Sequence, residues 1–207
     1  EYIVPDIIVS KKDQAWTVEL NMDLAINLRV NPNYAALIKR ADSSRDNNYL
    51  RSQLTDARWF LNGVKNRNET LLKVATCIIK HQRDFMEHGD EKMRPMILQD
   101  IAHEVGLNES TISRITTKKY IHTPQGVKEL KYFFSSHVAS DTGNSCSSTA
   151  IKAIIKQLIA KEKSGSPLTD DEITQILSQR GIKLARRTVA KYREALGIKS
   201  SNQRKIF

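Results

Sequence analysis

Arg186, Arg187, Lys191 and Arg193 stand within ten residues, ARRTVAKYRE (185–194), where Glu194 is the single acid. Ala185, Val189, Tyr192 and the following Leu196 keep helical spacing, so the stretch reads as a helix with one apolar stripe and a basic opposite face. A solvated helix face ordinarily mixes signs. A face of one sign that carries guanidinium forks is suited to phosphates and base edges. A second group with chemical potential is Cys77 and His81, at the i, i+4 spacing that can bind metal. Zinc needs three or four ligands, and the sequence places no second pair beside this one. The expectation is therefore a structural pair, with no metal and no cofactor. Cys77 and Cys146 suggest no disulfide framework, which suits a reducing compartment and a cytoplasmic location.

Catalytic signatures do not emerge. The chain has no GxxxxGKS/T, HExxH, GxSxG or paired CxxC, nor the HxxR of a tyrosine recombinase. Asp170, Asp171 and Glu172 could in principle serve a nuclease, yet they occupy a helix first turn, where acids favour the helix dipole. The expectation is that the chain is not an enzyme.

With 207 residues, 40% apolar and 27% charged, the chain reads as a soluble globular protein long enough for one or two domains. The most apolar run, AIKAIIKQLIA (150–160), is broken by Lys152 and Lys156, so no membrane span is expected. The opening EYIVPDIIV has no initiator Met and no signal-peptide pattern, and suggests a segment of a longer protein. Charge is uneven. Lys and Arg number 13 against 12 acids over 1–90, 7 against 6 over 91–145, and 13 against 5 over 146–207. Nearly all of the net +10 thus sits in the last third, the electrostatic footprint of a nucleic-acid-binding unit.

These residues need elements to carry them. YIVPDIIV and AWTVEL alternate around KKDQ and predict a short N-terminal β-hairpin. Asn31 and Pro32 open a short helix, YAALIKRA. From about 46 to 87, apolar residues recur at intervals of four and three, with Asn68 and Gln82 at the two polar positions. One helix of roughly 60 Å is expected, the alternative being two joined near Asn66–Asn68. Gly89 is placed to end it. Two short amphipathic helices then flank Gly106-Leu107-Asn108, the layout of a helix-turn-helix presenting Glu109, Ser110, Ser113, Arg114 and Thr117 outward. Residues 139–149, ASDTGNSCSST, read as a linker. Three further helices follow, and ITQILSQRGIKLARRTVAK aligns with IAHEVGLNESTISR as a second helix-turn-helix, its turn five residues longer. The expected fold is mainly α-helical and multi-domain, divided into 1–90, a central unit at 91–138, the linker, and a basic unit at 150–207.

ARRTVAKYRE resembles the RpoN box of bacterial sigma-54 factors across all ten residues. YIVPDIIV resembles the start of that family's core-binding region, GLNESTIS its central helix-turn-helix, and ELKYFFSS (129–136) a further family stretch. The resemblance implies an alternative sigma subunit whose N-terminal part binds core RNA polymerase. Its box helix would enter the major groove at an upstream GG element, and its central helix-turn-helix would lie near a downstream GC element about one helical turn away. A closed complex would then await an ATPase activator. The family's glutamine-rich N-terminal region, which receives that activator, has no counterpart in these residues. A chain of this extent is expected to bind core and promoter without normal activator control.

On that implication Arg187 is the expected base reader and Arg186 a reader or phosphate clamp, since an Arg fork pairs bidentately with guanine. Lys191 and Arg193 are expected on phosphates, with Lys183 assisting. Tyr192 lies on the apolar stripe and is first expected in the core. In the central unit Arg114 is the leading contact, with Ser110 and Ser113 secondary. Arg67, beside Asn68, is a candidate contact at the promoter fork or simply a solvated charge. A free-standing helix-turn-helix repressor or adaptor is the rival reading, and it leaves the nearly neutral first 90 residues without a role.

Overall fold

The computed structural model describes residues 3–13, 15–23, 28–38, 43–135, 137–138, 146–162 and 165–205. The hairpin forms from β1 (Ile7–Lys12) and β2 (Ala15–Leu20), antiparallel with Ile7 opposite Leu20 and Lys12 opposite Ala15. β1 begins two residues beyond Pro5, which has no N–H to give a ladder. α1 (Pro32–Leu37) starts where Asn31 accepts the Asn33 N–H, with Pro32 at the first helical position.

α2 (Arg45–His81) is 37 residues, about 55 Å of continuous helix, with Ser44 as its N-cap. It passes through Asn66–Asn68 without interruption. Instead it ends at Gln82, and α3 (Arg83–His88) follows before Gly89. The cause lies twelve residues away. The Gln82 side chain is fully buried, donates to the Arg94 carbonyl (2.7 Å) and accepts the Arg94 N–H (3.0 Å). The polar cluster at 66–68 is on the sparsely covered half of the helix, where no such partner draws it out of line. Burial of the stripe is correspondingly one-sided. Leu71, Val74, Ala75, Cys77, Ile78 and Ile79 are in the core, whereas Trp59 and Phe60 are 78% and 56% exposed.

α4 (Leu98–Val105) and α5 (Glu109–Thr116) form the first helix-turn-helix. The Asp100 carboxylate accepts the Ile97 N–H, and Gly106, at φ 72 and ψ 38, makes the left-handed turn that an L side chain adopts only with strain. Lys73 of α2 donates to the Val105 carbonyl at the end of α4 (3.0 Å). Beyond α5, β3 (Tyr120–Thr123) and β4 (Gly126–Glu129) form a hairpin absent from the sequence reading. β3 pairs in parallel with β1, giving the sheet order β2-β1-β3-β4. The Asp6 carboxylate fixes this junction, accepting from Lys119 Nζ (2.6 Å) and the Tyr120 N–H (3.0 Å).

The boundary expected at residue 90 is therefore not one in the packing. Ile7 and Val9, the second half of α2, Phe85, Ile101, Ile112, Ile121 and Phe133 share a single core, with Phe85 and Phe133 edge-to-face at 5.2 Å. A second core belongs to α6 (Ser148–Ala160), α7 (Asp170–Gln179) and α8 (Arg186–Ala195), built from Ile151, Ile155, Ile173, Leu177, Ile182 and Val189. Thr169 and Glu172 form a reciprocal capping box at the start of α7. Most of the expected linker, 139–145, lies outside the described residues. Its remainder, 146–149, is β6 (Cys146–Ser147), paired with β5 (His137–Val138) of the preceding unit, and the first residues of α6, which Ser147 caps. α6 lies against the turn at Asp90–Lys92, and the short helix α9 (Ser201–Arg204) closes the described chain.

Candidate nucleic-acid interface

α8 has a buried side and a basic side. Val189 is fully buried and Tyr192 and Leu196 pack partly against the second core, while Arg186, Arg187 and Lys191 are exposed. Lys183, on the turn leading into α8, is exposed with them. No acid lies in the first turn of α8, so the positive end of its dipole adds to Arg186 and Arg187. Arg186 sits 3.3 Å from the Asp171 carboxylate, but both side chains are more than half exposed. Such a pair is worth about 0–1 kcal/mol and exchanges readily for a phosphate. Arg187 and Lys191 have no ion pair among the described residues. Tyr192 keeps its ring half-buried beneath Lys152 Nζ, 5.7 Å from the ring centre.

Arg193 departs from expectation. It is 5% exposed, its Nε and Nη2 donate to the two Asp170 oxygens at 2.8 and 3.1 Å, and its Nη1 donates to the Ile198 carbonyl at 2.7 Å. The Asp170 hydrogen bond raises its pKa over the opposing effect of burial, so it is a permanent buried cation with every guanidinium edge engaged. A phosphate cannot reach it without breaking the α7–α8 contact. The spacing held this information. Counting four from Val189 and three back from Leu196 lands on Arg193, on the apolar stripe rather than the basic face. Asp170, noted only as a first-turn acid, is its partner.

In the first helix-turn-helix, Ile112 is buried and Thr116 folds its hydroxyl back onto the Ile112 carbonyl (2.8 Å). Ser110 and Arg114 are exposed and Ser113 is half-buried. Arg114 has no ion pair among the described residues. Arg67 is exposed on α2, four residues before the buried apolar run that starts at Leu71, and stands on neither helix-turn-helix. Thus Arg186, Arg187 and Lys191 share one helix, Ser110, Ser113 and Arg114 another, and Arg67 a third. The connection between α7 and α8 spans 180–185 against 106–108 between α4 and α5, so the second turn is three residues longer and not five, the other two residues lying in α7, which is longer than α4.

A family profile described as "Sigma-54, DNA binding domain" matches residues 47–206, and one described as "Sigma-54 factor, core binding domain" matches residues 1–34. The chain is 58% identical over 205 residues to the RNA polymerase sigma-54 factor of Pseudomonas putida, a match covering 99% of this chain and 41% of that protein. The factor from Salmonella typhimurium is 52% identical over 205 residues, covering 99% and 43%. The chain thus spans about two fifths of the length of the curated relatives it matches. In three dimensions it is similar to Aquifex aeolicus sigmaN in a crystal structure with promoter DNA, with a TM-score of 0.62 and 32% identity, covering 99% of this chain and 61% of that one. The DNA-binding profile takes in both helix-turn-helix units and the whole of the long helix's buried half. By that match the chain belongs to the sigma-54 factor family.

Proposed function

We propose that this chain is the part of an alternative sigma factor that docks core RNA polymerase and reads a two-element promoter, without catalysing any step itself. The observation that carries the reading is α8, an element with one side sealed into a core and the other presenting Arg186, Arg187 and Lys191. Arg187 reads the upstream GG element, Arg186 reads or clamps beside it, and Lys191 and Lys183 hold phosphates. Arg193 has no contact role and holds α8 in place. Arg114, with Ser110 and Ser113, faces the downstream GC element, and Arg67 contributes at the promoter fork. The closed complex is opened by an ATPase activator acting chiefly through sequence outside this chain. The match of residues 1–34 to a core-binding domain supports polymerase docking over a free-standing repressor or adaptor.

Fluorescence anisotropy tests the central assignment, using a duplex with GG and GC one turn apart and the same duplex with GG replaced. Arg187→Ala should cost about 1–3 kcal/mol on the first duplex and nearly nothing on the second. Equal losses on both duplexes would reduce Arg187 to a nonspecific cation. Co-purification with core polymerase separates a sigma subunit from a repressor.

A further inference from the structure

Cys77 and His81 alone lack the third ligand that zinc requires, and the fold brings one. α4 crosses α2 so that Glu104 arrives beside them. Cys77 Sγ, a His81 ring nitrogen and a Glu104 carboxylate oxygen all lie within 4.8 Å of one another. Among the described residues they form the one such group of three.

The set mixes thiol, imidazole and carboxylate, zinc's ordinary donors. It is also held in place before any ion arrives. Cys77 is 7% exposed and fixed in the core, and His81 Nε2 is 2.6 Å from Glu104 Oε2. Lys80 Nζ binds the other carboxylate oxygen, Oε1, at 2.8 Å, which leaves Oε2 for a metal and orients it, as outer partners of metal ligands do. A cleft of about 450 Å³, lined by Cys77, Glu104, Lys73, Thr76 and Val105 among others, opens beside the group. It supplies an entry path and room for a water.

The structure assigns Cys77, His81 and Glu104 to a zinc site of three protein ligands and one water, joining the long helix to the first helix of the helix-turn-helix. Tetrahedral bonds of about 2.0–2.2 Å put neighbouring N and O ligands roughly 3.4 Å apart, so Glu104 draws back from His81 by somewhat under 1 Å. Its side chain is 35% exposed and has the freedom to do so. Zinc binds Nε2 only without its proton, so the ring takes the form protonated on Nδ1 alone, the His81–Glu104 hydrogen bond gives way to the two metal bonds, and the Cys77 S–H proton passes to solvent as the zinc–sulfur bond forms. Thiolate and carboxylate together match the ion's two charges. Lys80 leaves one positive charge alongside, which sets the affinity below that of an all-thiolate site.

The test titrates the full chain carrying Cys146→Ser, which leaves Cys77 as the sole thiol, with Co²⁺ as the spectroscopic probe. One equivalent should produce thiolate-to-cobalt charge-transfer absorption, and Zn²⁺ should bleach it. Glu104→Gln and His81→Gln alter partly exposed side chains and should each weaken Co²⁺ binding at least tenfold, while Cys77→Ser removes the charge-transfer band. Zn²⁺ should also raise the thermal midpoint of the parent and not that of Glu104→Gln. Absence of a thiolate band, or a band of unchanged affinity in both glutamine variants, would overturn the proposal.

Discussion

Replacing Arg193 with Ala separates a residue that holds the DNA-reading helix from one that touches DNA. The change deletes three hydrogen bonds, two to Asp170 and one to the Ile198 carbonyl, and leaves the carboxylate buried without its cation. Breaking a buried ion pair from one side costs about 3–5 kcal/mol. Asp170 is 19% exposed and keeps some water, so the expected loss is near the lower end, about 3 kcal/mol. In a unit the size of the second core, that corresponds to a fall of roughly 12–24 °C in its Tm. Urea unfolding followed by circular dichroism reads the stability. A double-mutant cycle with Asp170→Asn should return a coupling above about 1.5 kcal/mol. Arg193→Lys should rescue little, because an ammonium cannot span both oxygens and the carbonyl. The second reading is the salt dependence of DNA binding, taken where the variant is still folded. Arg193→Ala should leave the slope of log K against log salt unchanged, whereas Lys191→Ala should reduce it by about 0.9, the yield of one phosphate contact. A stability change under about 0.5 kcal/mol, together with a slope reduced by about 0.9, would return Arg193 to the phosphates and refute the buried-clamp reasoning.

Gln82→Ala strands the Arg94 N–H and carbonyl, so urea unfolding should show a loss of about 2–4 kcal/mol, with Gln82→Glu no better because it buries a carboxylate against the Arg94 carbonyl oxygen. Gly106→Ala meets no atom within 4 Å, so its cost should be the left-handed backbone alone, about 1 kcal/mol by the same assay, with Asn tolerated better. Glu162 bonds Arg204 through both oxygens and accepts the Leu168 N–H, and the Arg204 hydrogen bond leads in lowering its pKa below the ordinary 4.5. The stability from this contact is therefore complete above the unfolded value and is lost as pH falls through the lower folded one. Urea midpoints measured across acid pH should lose that component of their pH dependence in Glu162→Gln.

Where structure follows from neighbours in the chain, the sequence was readable. Asn31 and the acids at 170–172 mark helix starts, Gly106 marks a turn, and the four-and-three spacing marks α2, because caps and periodicity act within a few residues. Misreadings came where a partner lies far away in sequence. Gln82 leaves the helix for Arg94, while Asn68, equally polar, stays helical because nothing competes for it. β3 and β4 are four residues each; β3 gains its place by pairing with β1, more than a hundred positions earlier, which also erased the boundary at 90, and β4 by pairing with β3. At the candidate interface, the basic face of α8 was legible from composition and spacing. Arg193 was grouped with its charged neighbours although its position on the stripe assigned it inward. The relation of Glu104 to Cys77 and His81 depends on how α4 crosses α2, which no local pattern records.

The pairing of β5 with β6 bears on how such a chain can vary. Val138 and Cys146 are held opposite one another, so the spacing between the first core and α6 is set by this clasp and by the seat of α6 on the Asp90–Lys92 turn. Where both ends of a connection are held, each doubling of its length costs only about 0.6 kcal/mol. Lineages could therefore insert residues here, or an experimenter a fluorophore or tag, while the two helix-turn-helix units keep their distance. On the proposed reading, the reach between the two DNA-reading units would then rest on a two-residue strand pair and on the seat of α6.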